Sequence, residues 1–231
     1  MNQKSYDRKK KENVLFSLVL NIVIPTFILM KCSGPDMLGP SLGLVSALVF
    51  PLSYGCFDFY KRGAVNFISL LGFFSTLATG GIGFLSLSPK YIAVKEALFP
   101  FLIACFVLLS VRREQSFVST LLEQVLDVQS LEKNLKTRQC WDVFQAKLRR
   151  SNYMVAVSFL VSAILNYVLA SQIVVSPSGT EAFNVELGRL TMLSYPIIAL
   201  PSTALLAIVM WQLFSALSNW TGLDMESLFS K

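Results

Sequence analysis

Long apolar blocks separated by short basic segments set the pattern of this chain. The first block, Val14 to Met30, follows a tail (residues 1–12) holding Lys4, Arg8, Lys9, Lys10 and Lys11; Pro25 interrupts it and Lys31 closes it. A basic tail before an apolar run is also how a signal peptide begins, but no small-x-small cleavage site precedes the next block, so the run predicts an uncleaved helix. The second block, about Leu38 to Phe57, opens on Gly39 and Pro40 as a helix start does and contains Pro51. The third, Gly63 to Leu87, is 25 residues without a charge, enough to cross an apolar layer of about 30 Å at about 1.5 Å per residue. Ser88 and Pro89 then suit the N-cap and first position of a fourth helix, Lys90 to Val111. Two more blocks, about Tyr153 to Val175 and Leu190 to Leu217, follow a polar segment from Arg112 to Arg150.

Six transmembrane helices are therefore expected, in an all-α polytopic membrane bundle. Residues 1–12 form a cytoplasmic tail, 13–111 a four-helix membrane region, 112–150 a cytoplasmic segment, and 151–231 a two-helix membrane region with an outer loop at 176–189. With the N-terminus inside, sixteen Lys and Arg residues fall on the inner side, and only Lys31, Lys90, Lys95 and Arg189 fall outside. That asymmetry predicts that both termini are cytoplasmic.

Composition sharpens this picture. Of 231 residues 54% are apolar and 15% charged, against about 45–50% and about 25% in a soluble domain. Seven charges lie in residues 1–12 and thirteen in 112–150, leaving fourteen for the other 180 positions. The absence of histidine removes the commonest general base and metal ligand. Cys32, Cys56, Cys105 and Cys140 are isolated and read as free thiols. There is no phosphate-binding loop, dinucleotide fingerprint or carboxylate cluster at metal spacing. The expectation is no enzyme, no metal and no cofactor, and the +6 excess flanks apolar blocks rather than forming a nucleic-acid face.

Within 112–150, Leu121, Val125, Val128, Leu131 and Leu135 recur at helical spacing, and Trp141, Phe144 and Leu148 form a second stripe. The segment is an amphipathic hairpin lying on the cytoplasmic membrane surface, or one that pairs with a second copy, or else a linker helix packing on the chain's own inner face.

The candidate solute path begins at Lys95 and Glu96. Only fifteen residues separate Glu96 from Arg112, roughly 22 Å of helix, so the fourth span must carry the pair in its outer half. Ionisable groups at that depth cost a few kcal/mol and are functional candidates by default. Neighbours on a helix diverge by about 100°, which predicts that the two do not face each other and that each takes a partner elsewhere or Lys95 snorkels outward. Glu181, Glu186 and Arg189 in the outer segment, the last two at i,i+3 if helical, are the expected companions, with Asp36 on the same side. The cluster is then either a structural ion-pair network or a charged vestibule selecting a polar or ionic solute. Asp58, one turn beyond Tyr54, shares a face with Pro51 and Ala47 and marks either an inner mouth or an interfacial anchor. Ser69, Gly72, Thr76, Gly80 and Gly83 form a small-residue stripe that suits close helix packing, while Gly80, Gly81 and Gly83 together suit local unwinding. Ser158, Ser162 and Asn166 predict hydrogen bonds between helices.

Several runs resemble an uncharacterised family of bacterial six-span inner-membrane proteins: Tyr54-Gly55-Cys56-Phe57-Asp58, Thr79-Gly80-Gly81-Ile82-Gly83, Lys95-Glu96-Ala97 and the stretch Ser176 to Pro196. The first four blocks are distantly similar to the intracellular septation protein A family. Lys95 and Glu96 at depth, the glycines beside them and the prolines of the first, second and sixth blocks point to a transporter or channel for a small polar solute or ion, and members of the closer family are sometimes labelled transporters; the septation likeness, with the segment 112–150, implies instead a non-transporting scaffold with cell-envelope proteins as partners. The resemblance brings no catalytic residue to carry over.

Overall fold

In the computed structural model, residues 19–62, 67–111, 116–123 and 139–222 are described, with 126, 135 and 137. Every regular element among them is helical. In chain order they are α1 (Val19–Cys32), α2 (Gly39–Arg62), α3 (Phe67–Phe84), α4 (Lys90–Ser110), α5 (Phe117–Glu123), α6 (Trp141–Ile173), α7 (Glu181–Ser194) and α8 (Leu200–Thr221). Among the described residues four helical stretches are long and apolar enough to cross a membrane: Gly39–Phe57, Lys90–Ser110, Trp141–Ile173 and the continuous run Glu181–Thr221.

Helix ends follow local chemistry. Gly39 takes a left-handed φ of 72° as α2 begins, a conformation that carries no β-carbon penalty in glycine. At the end of α3, Leu87 N–H donates to Ile82 O at 3.0 Å and Ser86 N–H to Gly83 O at 3.3 Å, with Ser86 at φ 50°. This is the paired closure that satisfies the last carbonyls of a helix. α4 starts at Lys90, directly after Ser88 and Pro89 as expected, and ends at Ser110. Thr180 Oγ1 caps α7 by accepting Phe183 N–H at 3.2 Å, and Gly222, at φ 64°, closes α8.

Prolines leave two kinds of trace. Pro51 and Pro100 sit inside uninterrupted α-helix. Pro25 lies in a short α turn between the π-helical turns Val19–Val23 and Ile28–Cys32, and Pro196 lies within the π-helical turn Tyr195–Ala199 that joins α7 to α8. Proline removes one N–H from the helical ladder, and a widened turn lets neighbouring carbonyls find other donors.

The chain divides into two compact units, Met1–Ala97 with Leu165–Ile197, and Leu98–Ile164 with Ile198–Lys231. In the first, Leu29, Leu44, Ile82, Ile92, Phe183 and Leu187 meet in one core. Helices approach closely there: a β-carbon on Gly188 would lie 2.6 Å from Met30 Cγ, and one on Gly83 would overlap the side chain of Leu44 and come within 3.3 Å of Phe183. In the second, Val107, Val118, Leu122, Phe144, Leu148 and Leu213 form the core.

That second core changes the reading of 112–150. Phe144 and Leu148 are buried with Val118, Leu122, Leu126 and Leu135 in the unit's own interior. Of the expected positions Leu135, Phe144 and Leu148 are buried, whereas Leu121 is half-buried beside a buried Leu122; Val125, Val128 and Leu131 fall outside the described residues. Asn152 ties this segment to α6 by accepting Val118 N–H at 3.1 Å and donating to Ser116 Oγ at 2.9 Å. α6 runs unbroken from Trp141 through Arg149 and Arg150 to Ile173. The segment 176–189 is helical from Glu181 onward.

Candidate functional site

The candidate site lies in the first unit, where α4 faces α3. Lys95 and Glu96 fall near the start of α4, whose remaining length is apolar to Ser110. Lys95 Nζ lies 2.7 Å from Glu96 Oε1, and the two side chains are 11% and 31% exposed. Lys95 Nζ also donates to Ser75 Oγ on α3 at 3.1 Å. Ser75 is tied in turn to its own helix, its carbonyl accepting Thr79 Oγ1–H at 3.1 Å.

This geometry corrects the expectation that adjacent residues cannot serve each other. The Cβ directions diverge, but four torsions in lysine and three in glutamate let the charged tips meet. In water the rotamer entropy of two long side chains makes such a pair weak. Among apolar helices an unpaired charge is far costlier, so the nearest opposite charge is taken even when it adjoins in sequence.

The other expected companions are employed elsewhere. Glu186 Oε2 accepts the backbone N–H groups of Val175 and Ser176, each at 2.9 Å, and Oε1 accepts Ser176 Oγ–H at 2.7 Å. One carboxylate thus holds the chain as it leaves α6. Arg189 is exposed, and no ion pair among the described residues joins Glu186 or Arg189 to Lys95 or Glu96. The four residues form one pair and one loop clamp, not a single cluster.

Gly80 and Gly83 serve packing. The helix stays α-helical through Phe84, and a β-carbon on Gly80 would sit 2.8 Å from Leu48 Cδ1. A β-carbon on Gly81 would meet nothing within 4 Å, so close approach does not require glycine there. Ser69 and Gly72 have side-chain positions outside the described residues, as does Asp58. On the face it shares, Ala47 is fully buried in the first core while Pro51 and Tyr54 are half-buried, so the Ala47 level of that face is packed.

Two buried asparagines carry polar networks that the sequence did not single out. Asn184 Nδ2 donates to Ser33 Oγ at 3.1 Å and to Pro40 O at 2.7 Å, joining α7 to the turn before α2. Asn152 holds α5 to α6 in the second unit, where its Nδ2 donates also to Leu148 O at 2.9 Å. An asparagine within an apolar run is the one available signal, because its amide must find partners once buried. The predicted serine ridge does bridge helices: Ser162 Oγ lies 2.6 Å from Ser202 Oγ, beside a groove of ≈ 130 Å³ walled by Ser158, Phe159, Thr203 and Leu206 among others.

Among the described residues there is no group of three or more Cys, Asp or Glu side chains placed to hold a metal ion, and no disulfide joins any of the four cysteines. No family model matches the chain, and no curated protein or solved structure is significantly similar to it.

Proposed function

We propose that this chain is a multi-pass protein of the bacterial inner membrane, with six spans and both termini cytoplasmic, that passes a small polar solute or ion. The observation that carries the reading is the Lys95–Glu96 pair, tied to Ser75 and set within a helix long and apolar enough to cross a membrane. A bundle needing only stability gains little from a charged pair there, since apolar residues of similar volume stabilise at least as well. Retained charges in such a place suit a polar cargo. The sixteen-to-four distribution of basic residues supports the orientation.

Reconstitution tests the reading. Purified protein in proteoliposomes is expected to pass at least one class of small ion or polar solute faster than empty vesicles do, and Glu96→Gln is expected to cut that flux at least tenfold. Flux equal to that of empty vesicles for every class, with Glu96→Gln silent in cells, overturns it and leaves the envelope-scaffold alternative.

A further inference from the structure

The charge balance of the pair narrows the cargo. Between Lys90 and Arg112 the chain carries only Lys95 and Glu96, so that stretch of α4 is neutral as a unit. A lone cation or anion arriving there leaves an uncompensated charge among apolar helices, which is unfavourable. A molecule with one charge of each sign exchanges one ion pair for two and leaves the total at zero.

The unused hydrogen-bonding capacity has the same composition. An ammonium group has three N–H donors; Lys95 Nζ directs one toward Glu96 Oε1 and one to Ser75 Oγ, leaving one. Glu96 Oε2 has no partner among the described residues, and the Glu96 side chain keeps 31% of its surface exposed. One cationic donor and one anionic acceptor thus stand side by side, held in place by Ser75. Their complement is a carboxylate next to an ammonium.

We propose that Lys95 and Glu96 recognise a small zwitterion, with its carboxylate on Lys95 and its ammonium on Glu96. The proposal rests on the transport reading of the same site and specifies its substrate class.

The test uses the full chain in proteoliposomes, with radiolabelled glycine and β-alanine as probes and potassium, chloride and erythritol in parallel. Saturable uptake of glycine or β-alanine at least tenfold above empty vesicles is expected, without potassium or chloride flux. Lys95→Gln and Glu96→Gln each leave a net charge and should lower that uptake at least tenfold. The neutral double variant Lys95→Gln/Glu96→Gln guards against misfolding: it should elute as the parent does on gel filtration yet take up neither amino acid. Potassium, chloride or erythritol flux without zwitterion flux overturns the inference and keeps the transport reading. No flux of any probe overturns both. Wild-type zwitterion uptake by the folded double variant overturns the assignment to this pair.

Discussion

Asn152 Oδ1 accepts the backbone N–H of Val118 at 3.1 Å, across 34 positions of sequence. The same carboxamide donates to Ser116 Oγ and Leu148 O, and the residue is fully buried. Alanine in its place leaves Val118 N–H without an acceptor, at a cost of about 1–3 kcal/mol. Asn152→Ala is expected to lower Tm in detergent by roughly 2–10 °C. Tyr153→Ala, one position away and exposed, should change stability by about 0.5 kcal/mol or less. Equal shifts in the two variants would remove Asn152 from its bridging role.

Gly43 and Gly81 should respond oppositely to a methyl group. A β-carbon on Gly43 would lie 3.0 Å from Ser33 Cα, a backbone atom unable to rotate away, whereas one on Gly81 meets nothing within 4 Å. Gly43→Ala is expected to destabilise by about 1–3 kcal/mol, and Gly81→Ala to be neutral or to stabilise by up to about 1 kcal/mol through helix propensity. Thermal unfolding of both variants checks the sign of each.

Glu186 is expected to govern protection of the turn after α6. Its carboxylate receives three hydrogen bonds from Val175 and Ser176, and charge-assisted bonds contribute about 1.5–3 kcal/mol. Glu186→Ala should raise amide hydrogen exchange at residues 175 and 176 by about 10- to 100-fold, with amides in the middle of α6 unchanged. Unaltered exchange at 175 and 176 would show that the clamp does not hold the turn.

The hydroxyls of Ser162 and Ser202 offer a double-mutant cycle. At 2.6 Å their coupling should fall near 0.5–1.5 kcal/mol, the range of hydrogen bonds between helices in membrane proteins. Alanine substitutions singly and together, followed by unfolding in detergent, yield the coupling directly. A coupling of zero would mean that each hydroxyl is satisfied by its own helix.

Much of the architecture is legible in the sequence because its causes are local. Charge-free runs mark the helices, Gly39 with Pro40 marks the start of α2, and Ser88 with Pro89 marks the gap before α4. In 112–150 the expected Leu135, Phe144 and Leu148 lie inward, but Leu122 is buried in place of Leu121, because a short helix presents several near-equivalent faces and tertiary packing selects one. The candidate site is legible as Lys95 and Glu96 but not in its pairing: a helical wheel reports Cβ directions, and long side chains close at their tips.

The sequence by itself determined that the chain is helical, where its apolar stretches run and which ionisable residues the loops cannot account for. Burying apolar surface and satisfying backbone groups within a segment are local demands, written into runs of neighbouring residues. Tertiary structure alone decided partners: Ser75 for Lys95, the turn after α6 for Glu186, and Ser33 for Asn184, 151 positions away. A buried polar group takes whichever complementary group lies nearest in space, and distance along the chain carries no record of that choice.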